Sequence, residues 1–241
     1  MEPLRQRDVA ATLSFLECIY GAGGVDTFEA GVTREISSIV PCELASYAEL
    51  NQSRVRVSWV WHGAEPFSDA QPIFLAHRHE NPVVMHNAVT PNSPPVKTSD
   101  FISLREFRRR GIYCDFYGPL GLDYLMTAKV PSNPEVQVAV AVLRSGRDFS
   151  ERERRLLAIL QPHLLQAYRN AEFRGDNRRA LTLLQQAAGE LGLGLIELWP
   201  NGGTRRITPL AHAWLEEFFP GNRATTTGLP SALAAWLRTQ L

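Results

Sequence analysis

The sequence predicts an α+β fold in which an antiparallel sheet carries helices on both sides. The hydrophobic pattern changes along the chain from a helical period of about 3.6 residues to an alternation of two, and back again. The predicted elements follow the order of two helices, a hairpin, further helices, a second hairpin and a long helix. Hydrophobic residues make up 44% of the 241 residues and charged residues 21%, which is enough apolar material for a sizeable core.

Two helices precede the first strand pair. The first helix begins at Asp8, and a capping-box pattern of Asp26 with Glu29 begins the second. Alternating residues then predict strands over 44–51 and 54–62. One face of the second strand carries four apolar residues, Val55, Val57, Trp59 and Trp61.

Further helices follow this hairpin. A capping box at residues 68–71 predicts a helix that ends near residues 81–82. Residues 88–99 are rich in Pro, Asn, Ser and Thr and are predicted as a loop. A second capping box, at residues 103–106, predicts a short helix.

The second strand pair leads into the longest helix. Strands are predicted over 124–130 and 136–143, and the latter is apolar on both faces, as is typical of a central strand. A capping box at residues 150–153 begins the long helix, which contains Pro162 and is expected to break around 174–177.

The rest of the chain repeats this alternation on a smaller scale. It is predicted to contain a helix over 178–191, strands over 192–199 and 204–208, and helices around 210–219 and 229–241. We therefore expect two parts: residues 1–175, which carry the main sheet, and residues 176–241, a smaller α/β segment.

Composition excludes several classes of protein. Lys plus Arg number 25 and Asp plus Glu number 25, so the chain is a poor candidate for binding nucleic acid by itself. It contains neither a signal peptide nor an apolar run of about 20 residues, and we expect no membrane partner. Cys18, Cys42 and Cys114 lie far apart, which argues against a disulfide framework and for a cytoplasmic protein.

Catalytic signatures are weak. The run His77-Arg78-His79-Glu80 resembles metal ligands, but on a helix the two histidines point away from each other, and no HExxH spacing is present. No Gly-x-Ser-x-Gly motif or phosphate-binding glycine loop occurs. We expect no enzyme activity, no metal and no cofactor. A metal-dependent hydrolase using His77, His79 and Glu80 remains the alternative.

Aromatic residues are concentrated between the two strand pairs. They are Trp59, Trp61, Phe101, Phe107, Tyr113, Phe116, Tyr117 and Tyr124. If they cover one face of the sheet, they line an apolar cleft that contains hydroxyl and indole donors, as small-molecule pockets do. The alternative is an ordinary aromatic core in a pocketless dimerisation scaffold.

Several motifs, in this order, resemble a known family. They include Asn81-Pro82-Val83-Val84, Lys97-Thr98-Ser99-Asp100-Phe101, Phe116-Tyr117-Gly118-Pro119-Leu120-Gly121 and Gly146-Arg147-Asp148-Phe149-Ser150-Glu151. Over about residues 5–175 the chain resembles the GAF-type sensory region of bacterial LuxR-type transcriptional regulators. Residues 190–240 resemble the PAS-like connector of such proteins.

The resemblance implies a GAF-like sensory domain over 1–175, followed by a helical linker and PAS-like connector over 176–241. It also implies a non-catalytic function: a small-molecule effector binds on the sheet face and shifts the long helix. The ligand-binding residues that we predict are Trp59, Trp61, Phe74, His77, Met85, Phe101, Tyr113, Tyr117 and Tyr124.

The resemblance also bears on partners. In that family a helix-turn-helix of about 60 residues follows, so we expect this chain to act on DNA only through a C-terminal domain that it lacks. A homodimer is expected because the long helix carries more apolar positions than one sheet face requires. The surplus positions are Leu157, Leu164, Ala167, Tyr168 and Ala171.

Overall fold

The computed structural model describes residues 6–51, 56–63, 67, 69–90, 92–130, 136–199, 203–220 and 229–240. The chain divides into two compact units, Met1–Gly175 and Asp176–Leu241. Helices combine with antiparallel strands in both units, which confirms the α+β class. Among the described residues, no helix is both long enough and apolar enough to cross a membrane.

A five-stranded antiparallel sheet organises the first unit. Its strands are β1 (Leu44–Asn51), β2 (Arg56–Gly63), β3 (Val96–Lys97), β4 (Tyr124–Val130) and β5 (Val136–Arg144), in the spatial order β2-β1-β5-β4-β3. The central position predicted for β5 is confirmed. The loop predicted over 88–99 is wrong at β3, because a strand of two residues is too short to produce a period.

Three helices cover one face of this sheet, which we call the α6 face. They are α1 (Gln6–Gly21), α2 (Val25–Glu35) and the first half of α6 (Glu151–Glu190). Alternate strand residues, such as Val138, Val140 and Val142, are fully buried beneath them. The cap of α2 differs from the prediction, because Thr27 exchanges hydrogen bonds with the backbone of Gly24 and the helix therefore begins before Asp26.

Shorter elements cover the opposite face, which we call the α4 face. They are α3 (Ala70–His77), α4 (Pro82–Val89), α5 (Leu104–Phe107) and a π-helical turn, Tyr113–Tyr117. The helix predicted to end near residues 81–82 is α3 followed by a 3-10 turn, Arg78–Glu80, and α4 is an additional helix that begins where the predicted one ends. The Asn81 carboxamide oxygen accepts hydrogen bonds from the backbone of Val83 and Val84 and starts α4 afresh. Ser68, which was predicted to cap the earlier helix, lies outside the described residues.

Several hydrogen bonds and an ion pair hold the start of α6. The predicted capping box is present: the Ser150 hydroxyl accepts from the Glu153 backbone, and the Glu153 carboxylate accepts from the Ser150 backbone. The same carboxylate forms a bidentate ion pair with Arg144 at 2.7 and 2.9 Å. No break occurs around 174–177, because Gly175 lies inside a helix that continues to Glu190.

After the end of α6, the described residues of the second unit form a small hairpin and two helices. Strands β6 (Ile196–Leu198) and β7 (Thr204–Ile207) pair antiparallel, and helices α7 (Pro209–Phe218) and α8 (Ser231–Gln240) follow. Gly194 lies against α7 so closely that a Cβ at this position would come within 2.7 Å of the Ala211 Cα. A glycine is therefore required where the chain enters the hairpin.

The apolar stripe predicted to be exposed on the long helix is buried within the first unit. Its five residues, Leu157, Leu164, Ala167, Tyr168 and Ala171, are at most 7% exposed. They pack against the sheet together with α1 and α2. The prediction of a surplus stripe is wrong, because α1 and α2 add apolar surface to the groove in which α6 lies.

Candidate functional site

The α4 face has a floor of small side chains. On β1 and β5 the residues that face this side include Ser46, Ala48, Ala139 and Ala141. The strand register places Trp61, Ser46, Ala141 and Thr127 in one row across four strands. This row has large or polar residues at its ends and small ones in the middle, so space remains above its centre.

Aromatic side chains form one wall above this floor. Trp59 of β2 lies 5.2 Å from Trp61 and 5.0 Å from Phe74 of α3, measured between ring centroids. Phe116 of the π-helical turn lies 5.3 Å from Phe74 and 4.9 Å from Tyr117. These edge-to-face and tilted contacts favour a fixed wall, because each ring constrains its neighbours.

Asn81 joins this wall to the start of α4. Its amide nitrogen donates to the Tyr117 hydroxyl at 2.8 Å, while its oxygen caps α4. Both residues are buried, and burial raises the pKa of Tyr117 well above its usual range. Tyr117 therefore stays neutral and holds the π-helical turn against α4.

A second asparagine links the cavity to α6. The Asn87 amide donates to the Thr127 hydroxyl at 3.2 Å, and Lys129 donates to the Asn87 backbone carbonyl at 2.6 Å. Gln161 of α6 donates in turn to the carbonyl oxygens of Lys129 and Ser93, both at 2.8 Å. Burial lowers the pKa of Lys129. A continuous series of hydrogen bonds thus runs from the cavity lining to the long helix.

The space between these elements is a partly open apolar cavity. Its volume is about 90 Å³, several times what a single water needs. Among the described residues that line it, none is Asp, Glu, Lys, Arg or His. Two buried polar atoms of the lining have no hydrogen-bond partner in the described part of the chain, the Trp61 indole nitrogen and the Asn87 side-chain oxygen.

Four of the nine predicted ligand-binding residues line this cavity, namely Trp59, Trp61, Phe74 and Tyr117. The other five lie elsewhere. Met85 is 47% exposed on the outer side of α4, and Phe101, 39% exposed, packs against His86. Tyr113 packs on Phe107 and donates to Asp123. Tyr124 points to the opposite side of the sheet, into the core beneath α6.

His77 belongs to a polar cluster outside the cavity lining. Its Nδ1 lies 2.9 Å from Glu80 Oε1, and its Nε2 lies 3.0 Å from Asp115 Oδ2. The hydrogen bond with Glu80, together with the charges of Glu80 and Asp115, raises the pKa of His77. Gly111 lies directly against the imidazole, where a Cβ would come within 2.6 Å of Nδ1.

The alternative metal site is not assembled. His79 is exposed on the turn after α3, while both His77 nitrogens are engaged by carboxylates. No group of three or more His, Cys, Asp or Glu side chains suited to a metal ion occurs among the described residues. The cavity and this cluster are separate features of the same face.

Sequence reasoning missed the polar and small residues of the site. Asn81, Asn87 and Thr127 carry its hydrogen bonds, and Ala139 and Ala141 form its floor. The signal available for the floor was the run of small residues at alternate positions of two predicted strands. No comparable signal marked the asparagines. Asn81 lies in a helix-start pattern, where an asparagine usually serves as a cap, and Asn87 lies near the end of α4 with no motif around it.

Comparisons with known proteins return structures but no family. No family model matches the chain, and no curated protein matches it. Three solved structures are similar over most of their own length. The VqsR LBD domain from Pseudomonas aeruginosa is 12% identical, the match covers 68% of this chain and 93% of that chain, and the TM-score is 0.47. For the N-acylhomoserine lactone dependent LuxR family transcription factor CepR2 from Burkholderia cenocepacia the identity is 12%, the coverages are 70% and 98%, and the TM-score is 0.49. For the GAF domain of an Acinetobacter phosphoenolpyruvate-protein phosphotransferase the identity is 13%, the coverages are 72% and 99%, and the TM-score is 0.46.

Proposed function

We propose that residues 1–175 form a GAF-like sensory domain that binds a small molecule in the cavity of the α4 face. The observation that carries this proposal is the apolar, aromatic-walled cavity above a floor of alanines. A sheet built only for stability would fill this space, because voids in a core are costly. The ligand contacts would come from Trp59, Trp61, Phe74 and Tyr117, with Asn87 at the far end of the floor.

The proposed signal passes through α6. A ligand that contacts Asn87 would bias the position of α4. Lys129 is hydrogen-bonded to α4 through the Asn87 carbonyl, and Gln161 of α6 is hydrogen-bonded to the Lys129 carbonyl. A ligand shifts an equilibrium only as far as it binds one arrangement better than another. The hydrogen bonds from Asn87 through Lys129 to Gln161 support this proposal, because they link the cavity lining to α6.

The remainder of the proposal concerns the whole protein. We propose that it is a cytoplasmic LuxR-type transcriptional regulator, that residues 176–241 form a helical linker and PAS-like connector, and that DNA is contacted through a domain beyond this chain. A homodimer is part of the proposal. It is supported by the exposed apolar side chains of the second half of α6, Leu183 at 65% and Leu184 at 61%.

The binding function is tested with a cavity-filled variant. Wild-type protein and Ala141→Phe are each incubated with a bacterial metabolite extract, filtered, and analysed by mass spectrometry for retained small molecules. We expect a compound that the wild type retains and the variant does not, with both proteins showing the same circular dichroism. Equal retention by both proteins, or none by either, contradicts the proposed site.

The relay is tested with a matched pair of glutamines on α6. Gln161→Leu removes the hydrogen bonds to Ser93 and Lys129, whereas Gln166→Leu removes a surface hydrogen bond to Asn170. With the retained compound bound, hydrogen exchange in α6 should slow in the wild type and in Gln166→Leu but not in Gln161→Leu. If hydrogen exchange in α6 slowed as much in Gln161→Leu as in the wild type, the proposed relay through Gln161 would be contradicted.

Assembly is tested by light scattering at several micromolar concentrations. A dimer has twice the chain mass of 26.9 kDa. A mass of one chain at every concentration contradicts the dimer.

A further inference from the structure

We infer that the cavity selects an uncharged, elongated ligand that has a hydrogen-bond acceptor at its Trp61 end and a donor at its Asn87 end. This inference rests on the proposed function and specifies the ligand for the same site. It follows from two buried polar atoms and from their places in the sheet.

The two unpartnered atoms have opposite hydrogen-bonding roles. The Trp61 indole nitrogen can only donate, and the Asn87 side-chain oxygen can only accept. Asn87 is 5% exposed, and its amide nitrogen is already engaged by Thr127. Leaving such groups unpaired in a protein interior costs free energy, so a ligand that pairs with both gains affinity from each.

The strand register sets the separation between them. Trp61 begins the row that continues through Ser46 and Ala141 and ends at Thr127, the partner of Asn87. Strands lie about 4.8 Å apart, so the row is about 14 Å long between its terminal Cα atoms. The two groups thus lie at opposite ends of the alanine floor, and a ligand must carry its acceptor and donor at opposite ends too.

The lining also excludes charge. Among its described residues it has no charged side chain to pair with an ion, and an unpaired ion in an apolar site is strongly disfavoured. The aromatic wall and alanine floor favour a flat body between the two polar ends.

Four para-substituted benzenes of nearly equal size separate these requirements. 4-Hydroxyacetophenone has an acceptor and a donor at opposite ends, 4-methoxyacetophenone lacks the donor, 4-ethylphenol lacks the ketone, and 4-hydroxybenzoate is charged. Affinities for the full chain are measured by ¹H–¹⁵N NMR titration. The Trp61 indole signal, one of five in the chain, is assigned by its loss in Trp61→Phe.

We expect 4-hydroxyacetophenone to bind most tightly. Each single-function compound should bind about tenfold more weakly, as expected for the loss of one neutral hydrogen bond inside a protein. The benzoate should be weaker by at least tenfold. The Trp61 indole proton should move downfield with the two ketones and not with 4-ethylphenol.

Two variants test which residue binds each end of the ligand. Asn87→Leu should weaken 4-hydroxyacetophenone about tenfold while 4-methoxyacetophenone changes less than about twofold, and Trp61→Phe should weaken both ketones but not 4-ethylphenol. The wild-type ranking stands by itself if a variant fails to fold.

Equal binding of the three neutral compounds, tighter binding of the benzoate, or no binding of any compound overturns the inference. The metabolite-extract experiment decides the proposed function separately, because it does not depend on these probes.

Discussion

The same strands form both faces of the main sheet, but side chains fill the α6 face and leave a cavity on the α4 face. On the α6 face, Val138, Val140 and Val142 are fully buried in a core that they form with α1, α2 and α6. On the α4 face, the intervening Ala139 and Ala141 lie under a cavity of about 90 Å³. The valines of β5 therefore fill the α6 face, while its alanines leave space on the α4 face.

The elements that cover each face explain why the α6 face is filled and the α4 face retains a cavity. Long helices present continuous rows of side chains and close the α6 face by apolar contact. The α4 face is covered by helices of at most eight residues and a single π-helical turn. Segments that short depend on polar ties, such as those of Asn81 and Lys129, to hold their position. Apolar packing thus fills one face, and a cavity remains on the other.

The largest difference should appear when equivalent leucines are truncated. Leu157→Ala on the α6 face should reduce the free energy of unfolding by about 3–5 kcal/mol, because its surroundings are filled and leave a new void. Leu125→Ala, which borders the existing cavity, should cost about 2–3 kcal/mol, because fewer packing contacts are lost. Urea denaturation of both variants measures this. Equal losses would mean that the α4 face is as closely packed as the other.

A second test concerns the ion pair at the start of α6. Burial by itself would raise the pKa of Glu153, but hydrogen bonds from Arg144 and Ser150 outweigh it and lower the pKa to about 2. A lowered pKa in the folded state means that the stabilisation is complete above the ordinary value of 4.5 and is lost as pH falls from there towards 2.

Glu153→Gln should therefore cost about 3 kcal/mol at neutral pH, since it leaves the buried Arg144 without its charge partner. Its stability should also depend less on pH than that of the wild type below about pH 5. Glu151→Gln, two residues earlier, is the control and should change stability little, because the Glu151 side chain is 72% exposed and its partner Lys97 also pairs with Asp148. Urea denaturation between about pH 6 and pH 3 compares them, and parallel curves for wild type and Glu153→Gln would contradict this assignment.

The third test adds a side chain to each face. Ala141→Val places two methyl groups into the cavity and should stabilise the protein by up to about 1 kcal/mol. Ala128→Val on β4, fully buried on the α6 face, should instead destabilise by about 1–3 kcal/mol through overpacking. Both changes introduce the same strand-favouring residue, so the sign of the effect reports the packing alone. Thermal unfolding that moves in the same direction for both would contradict the comparison.

The strands could be predicted because their alternation persists over several residues. Leu44–Asn51 and Tyr124–Val130 lie where the sequence places them. The face that each residue occupies was harder to predict for β4, since Leu125 and Met126 are both buried, on opposite sides. Thr127 and Lys129 alternate with the buried Met126 and Ala128, and this signal in the sequence would have assigned Tyr124 to the α6 face.

The site was predictable only where it lies on regular structure. Trp59 and Trp61 alternate on a strand and both reach the cavity. Tyr113 and Tyr117 begin and end a π-helical turn, a geometry that no sequence period reveals, and only Tyr117 lines the cavity. His77 was placed in the pocket because it shares α3 with Phe74. Its partner Asp115 comes from a segment 38 residues away in the sequence, so the contact depends on the tertiary fold.

Of the effects that we expect, the smallest is the pH dependence of stability that comes from the contact between His77 and Asp115. This effect should be confined to the α4 face. His77 joins α3 to the π-helical turn, the two elements that bring Phe74 and Phe116 to the cavity wall. Its hydrogen bond with Glu80, and the charges of Glu80 and Asp115, raise its pKa above the usual 6.5. A raised pKa in the folded state means that the stabilisation is complete below pH 6.5 and is lost as pH rises through the folded-state value.

Thermal unfolding of the wild type should therefore occur at lower temperature as pH rises above 6.5, and His77→Gln should remove part of this dependence. His79→Gln, at an exposed position two residues along, is the matched control and should retain the wild-type slope. Hydrogen exchange localises the effect: amides of residues 113–117 should exchange faster at high pH after correction for intrinsic rates, while the buried amides of β5 should not change. If His77→Gln kept the full slope, or if β5 responded as strongly as the turn, the ion pair would not be what ties the covering elements of the α4 face together.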